Sequence, residues 1–134
     1  KRVIIFARGF SELIGEEMRT KFQLADKYCE LYTDPNIITK ISTRLTKNDM
    51  VIFISLSGET KELITAAQNC YNEEIGNLLI TASEANPLLE LAELALVGYK
   101  SEISLFPDYE VRSRLPLLVI ARILLDSYAI RLQK

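Results

Sequence analysis

The sequence predicts an α/β domain with a parallel sheet covered by helices on both faces. Short apolar runs at Val3–Ala7, Tyr28–Tyr32, Met50–Ser55, Leu78–Ala82 and Ala95–Tyr99 have strand length. Segments with apolar residues at helical spacing separate them, and strands alternating with helices imply parallel crossovers. The third run, Met50-Val51-Ile52-Phe53-Ile54, is apolar at every position, as a central strand buried on both sides must be.

The elements follow in order. After the first strand, Ser11 is placed to cap a helix, and Ile14, Met18, Phe22 and Ala25 give it one apolar face to about Ala25. Asp34-Pro35 marks the next helix start, with Asp as N-cap and Pro at the first helical position. Ile37, Ile38, Ile41 and Leu45 supply its apolar side. Asn48-Asp49 ends that pattern before the third strand. A helix then runs from about Glu59 to Tyr71, with Leu63, Ile64, Ala67 and Cys70 inward. Gly76-Asn77 turns into the fourth strand, and Asn86-Pro87 opens a short helix through Leu91 and Ala92. After the fifth strand comes a polar loop, Lys100–Glu110, and then a last helix starting near Ser113, because Pro116 fits only a first turn. From Leu115 to Leu125 that helix is apolar except at Arg122, so it is expected to be buried all round, with a second subunit as the simplest outer cover and a flanking segment outside this chain as the alternative.

The 134 residues read as one domain, 1–134, without repeats or linker. Apolar residues make up 49% and charged residues 25%, and the net charge is −2. No clustered Lys/Arg surface for nucleic acid or anionic membrane is present. Cys29 and Cys70 lack a CxxC spacing and are expected as buried reduced thiols, in keeping with a cytoplasmic protein. The absence of histidine removes the commonest metal ligand and general base, and no metal or cofactor is expected. No stretch reads as a signal peptide or membrane span. The chain enters a strand within two residues of Lys1, so a preceding segment is expected.

In open α/β sheets, ligands bind beyond the carboxyl ends of the strands where strand order reverses. The first and third strands flank that point. Their following turns are Arg8-Gly9-Phe10-Ser11 and Ser55-Leu56-Ser57-Gly58-Glu59-Thr60, each running into a helix. Helix N-termini offer unpaired N–H groups and partial positive charge to an anion. Gly58 lets backbone approach closely, and Ser11, Ser55, Ser57 and Thr60 add hydroxyl donors, a set suited to a phosphate monoester. The alternative is local: Ser57 as an N-cap, with Ser55 and Thr60 satisfying nearby backbone.

Ser55-Leu56-Ser57-Gly58-Glu59-Thr60 resembles the S-x-S-G-x-T signature of the sugar isomerase (SIS) domain. Gly9-Phe10-Ser11 resembles that family's first turn, although Ala7 stands where a glycine is usual. Leu79-Ile80-Thr81 with Asn86-Pro87-Leu88 is similar to its "IT…SPL" stretch, and Ser113-Arg114-Leu115 with Asp126 to the closing helix of RpiR-type regulators. The resemblance implies a flavodoxin-like three-layer αβα sandwich with a five-stranded parallel sheet, dimerising partly through its helices. It implies that Ser11, Ser55, Ser57 and Thr60, with backbone around Gly9, Leu56 and Gly58, hold a phosphosugar. Glu102 matches the family's loop glutamate. Arg8 is either ion-paired or a direct ligand contact.

The resemblance covers both sensors and aldose–ketose isomerases. Isomerisation needs a base, and without histidine only Glu59, Glu102 or Glu110 remains, with Glu59 better read as a charge in a helix's first turn. An effector-sensing domain of a transcription regulator is therefore favoured over an isomerase. DNA would be bound only by a helix-turn-helix domain outside this chain.

Overall fold

The computed structural model describes residues 2–98 and 115–132. Within them the order is β1 (Arg2–Ala7), α1 (Ser11–Leu24), β2 (Cys29–Tyr32), α2 (Pro35–Ser42), β3 (Asp49–Ile54), α3 (Lys61–Asn72), β4 (Asn77–Thr81), α4 (Pro87–Leu91), β5 (Leu94–Val97) and α5 (Leu115–Leu132). The strands form one parallel sheet in the order β2-β1-β3-β4-β5. Strand order therefore reverses between β1 and β3, as expected.

Side chains alternate across the central strands and divide the core in two. Ile5, Ala7, Ile52, Ile54 and Ile80 meet Ile14, Met18 and Phe22 of α1 and Leu117, Ala121 and Leu125 of α5. Ile4, Phe6, Val51, Phe53 and Leu79 meet Ile38, Leu63, Ala67, Cys70 and Leu88 on the other face. Asp34 caps α2, its carboxylate accepting from the amides of Asn36 and Ile37 at 2.9 and 3.0 Å. Asn86 caps α4 by accepting from the Leu89 amide at 2.8 Å.

Three expectations change. Ile37 projects outward, 49% exposed, while Ile38 alone of that pair enters the core. On α5, only the stripe Leu117, Ala121 and Leu125 is buried; Val119, Ile123 and Ile130 face outward. An apolar helix laid on a sheet covers one side of itself. Ser11 is not the cap of α1. Phe10 holds that position with helical backbone (φ −68°, ψ −17°) and no side-chain cap, so the helix entry is one residue earlier than the sequence implied. The expected helix start near Ser113, the loop Lys100–Glu110 and Glu102 lie outside the described residues.

The amino end of the sheet is closed by charge. Arg2 donates to both carboxylate oxygens of Asp49, at 2.9 and 3.2 Å, and the Thr46 amide donates to the same group at 2.8 Å. Burial pushes the Asp49 carboxyl up, but the Arg2 and Thr46 hydrogen bonds and the Arg2 charge outweigh it and leave the pKa below its ordinary value of 3.8. Cys29 and Cys70 are both buried, one in each core half, and burial pushes each thiol up to about 12. No helix among the described residues is long and apolar enough to cross a membrane.

Candidate functional site

The register places the two turns side by side. Ala7 pairs with Ile54, so Arg8 and Ser55 are the first residues beyond the paired ends of adjacent parallel strands. Val3–Ala7 of β1 and Val51–Ile54 of β3 are buried, and leaving the core there sends both segments onto the carboxyl edge of the sheet, where open α/β folds bind ligands.

In the β3–α3 turn, Ser55 is 3% exposed and forms the floor. Its Oγ accepts from the Gly58 amide at 2.9 Å and lies 3.5 Å from Thr60 Oγ1. Ser57 Oγ accepts from the Glu59 amide at 3.2 Å. Each serine thus uses a lone pair to hold the turn, and its hydroxyl proton is left to donate elsewhere. The cap of α3 is Thr60, not Ser57, and it makes no side-chain capping bond. Ser57 and Thr60 are half-buried at the mouth. Glu59 precedes the cap and is exposed; the acid in the first turn of α3 is Glu62.

Gly58 has φ +70°, the left-handed region where a Cβ is strained. Space forbids a side chain as well: a Cβ there would come within 2.0 Å of Asn86 Cγ. Asn86 is 8% exposed and is held by its bond to Leu89 and by donating to the Ser83 carbonyl at 3.2 Å. The Leu88 amide donates to the Gly58 carbonyl at 3.3 Å. The β4–α4 connection therefore braces this turn from behind.

The β1–α1 turn is more open. Gly9 has φ +62°, and nothing lies within 4 Å of where its Cβ would be. Its amide donates to Glu12 Oε2 at 3.0 Å, tying the turn to the first turn of α1. Phe10 is 54% exposed, while Ser11 is 2% exposed and its hydroxyl has no partner among the described residues. Ala7 keeps a negative φ, the condition under which alanine can replace the usual glycine. Arg8 pairs with Glu62 of α3 at 3.3 Å, a bond that joins the two turns.

The arrangement offers hydroxyl protons, free amides and one arginine; the carboxylates beside the turns, Glu62 and Glu12, are engaged by Arg8 and by the Gly9 amide, and the chain has no imidazole. Among the described residues, no group of His, Cys, Asp and Glu is placed to hold a metal ion. Sequence reading missed Glu62, whose place in the first turn of α3 was the available signal, and the bracing role of Asn86 against Gly58, a contact between residues 28 positions apart.

A family model described as "SIS domain" matches residues 1–111. The chain is 27% identical over 128 residues to the HTH-type transcriptional regulator GlvR of Bacillus subtilis, covering 95% of this chain and 50% of that protein. It spans about half the length of the curated relatives it matches. The sugar isomerase domain of an RpiR transcription factor from Sphaerobacter thermophilus superposes with TM-score 0.86 at 18% identity, over 98% of this chain and 71% of that one. The Vibrio vulnificus NanR protein, solved in complex with ManNAc-6P, superposes with TM-score 0.77 at 22% identity, over 92% and 47%.

Proposed function

This chain belongs to the SIS domain family, and on that premise we propose that it is the phosphosugar-binding, effector-sensing domain of a transcription regulator of sugar metabolism. The observation that carries this reading is the β3–α3 turn: two serine hydroxyls anchored by amides, a glycine at φ +70°, and a helix N-terminus, all at the switch point of the sheet. Ser11, Ser55, Ser57 and Thr60 would donate to the phosphate, with backbone N–H groups around Gly9, Leu56 and Gly58. Arg8, held beside the turns by Glu62, would add a positive charge facing the anion. Glu102 would meet the sugar.

The relatives support the regulatory half of the reading, since GlvR is a helix-turn-helix regulator and NanR was solved with a sugar phosphate. In this proposal the protein acts in the cytoplasm, the outward face of α5 meets a second subunit, and DNA is bound by a separate domain. Phosphosugar binding would favour one dimer geometry over another, which requires unequal affinity for the two states.

A thermal-shift panel of sugar phosphates and their unphosphorylated parents tests this. Stabilisation by phosphorylated forms alone is expected. Equal effects of both forms, or no effect of either, would sink the phosphate site. Following isomer ratios in the same samples separates sensing from catalysis, because turnover would overturn the sensor reading.

A further inference from the structure

We infer that Thr81 is a positioning residue of the anion site: together with the Ala82 amide it holds the Leu56–Ser57 peptide reversed, so that the Ser57 N–H faces the ligand. The inference rests on the phosphate reading above and extends it to a residue that does not touch the anion.

In a continuous strand, the N–H and C=O of one residue leave on the same edge, and the next residue's leave on the opposite edge. The Ser55 amide donates to the Ile80 carbonyl at 3.0 Å, so Ser55 faces β4. Continuation of β3 would therefore turn the Leu56 carbonyl toward β1. Instead that carbonyl is captured from the β4 side, by Thr81 Oγ1 at 3.2 Å and by the Ala82 amide at 3.2 Å. The peptide is trans and planar, so its N–H points opposite to its C=O. With the Leu56 carbonyl held toward β4, the Ser57 N–H is turned away from β4, to the side where β1 and its turn lie.

The Leu56 N–H, next in alternation after Ser55, faces that same side. Neither amide has a partner among the described residues. Two successive N–H groups on one side of a turn form a concavity for an anion. Thr81 is suited to the task because it is fully buried, so its hydroxyl has no solvent to turn to. Its oxygen also accepts from the Ser83 amide at 3.4 Å, which directs the proton toward Leu56.

Inorganic phosphate is the probe, titrated at constant ionic strength into isotopically labelled wild type, Thr81→Val and Thr81→Ser and followed by amide resonances. In the wild type, the Ser57 amide should move strongly on binding, and the Glu59 amide, already held by Ser57, should move less. Thr81→Val keeps the branched shape but loses the donor, and should bind roughly three- to tenfold more weakly with a smaller Ser57 shift. Thr81→Ser should restore both. A purely structural threonine would lower thermal stability in the valine variant and leave affinity and the Ser57 shift unchanged, which overturns the inference. A wild type that binds with its Ser57 amide unmoved also overturns it, whatever the variants do. A wild type that binds neither inorganic phosphate nor any sugar phosphate overturns the functional reading and the inference with it.

Discussion

The two turns at the ligand edge share a left-handed glycine but differ in what stands behind it. Gly58 is enclosed, with Asn86 against its α-carbon, while Gly9 has open space around the same position. The β3–α3 turn is held by bonds from Thr81, Ala82 and Leu88 of the next crossover. Apart from the Arg8–Glu62 pair, the β1–α1 turn is held within itself, by Glu12 on the Gly9 amide. In the proposed site the β3–α3 turn would present amides fixed before an anion arrives, while the β1–α1 turn has less packed behind it. Fixed donors avoid the ordering cost of binding.

Substituting the glycines tests that contrast most severely. Gly58→Ala meets both an unfavourable φ and the Asn86 side chain, and should lose about 3 kcal/mol of stability in denaturant titration. Gly9→Ala meets only the φ penalty, so equal losses at the two sites would break the comparison. Next in size, replacing Ser55 and Ser57 together with alanine should weaken sugar-phosphate binding about a hundredfold by calorimetry, with the fold retained. Unchanged affinity would return both serines to a purely local role.

The amino end of the sheet supplies the contrast outside both turns. Asp49→Asn should cost about 2 kcal/mol by removing a charged acceptor from Arg2 and Thr46, and should leave phosphate affinity unchanged. Folding lowers the Asp49 pKa, so its contribution is complete above the ordinary value of 3.8 and is lost as pH falls through the lowered folded value. Melting temperatures measured through that acid range should fall more steeply for the wild type than for Asp49→Asn. The smallest effect belongs to Gly9→Ala, about 1 kcal/mol, read in the same denaturant series as Gly58→Ala.

What the sequence disclosed follows the range of each interaction. The Asp34 cap and its proline, the Asn86 cap, and the Ser55 turn are bonds between residues a few positions apart, so their spacing is written in the chain. The parallel α/β class followed from apolar runs alternating with helical segments, while the pairing of the two turns rested on the common strand order of such sheets and on the family resemblance. Thr81 reaches Leu56 across 25 positions, and no local pattern marks that bond. Arg8 presented an open choice until Glu62 was brought beside it by the β1–β3 register. Ser11 was misread because a serine before an apolar periodicity is the usual cap. Here Glu12 reaches back to the Gly9 amide instead, and the helix needs no serine cap. The one-sided burial of α5 could not be read from composition, since an apolar helix has no polar face to mark its outside.

The two buried cysteines have a practical consequence. Each lies in a different half of the core, and each thiol is held at a pKa of about 12. A thiolate-seeking reagent can therefore reach them only when the surrounding layer opens. Cys29 becomes a clock for the layer under α1 and α5, and Cys70 a clock for the layer under α2 and α3. Comparing their modification rates would show whether the two sides of the sheet come apart together or in sequence.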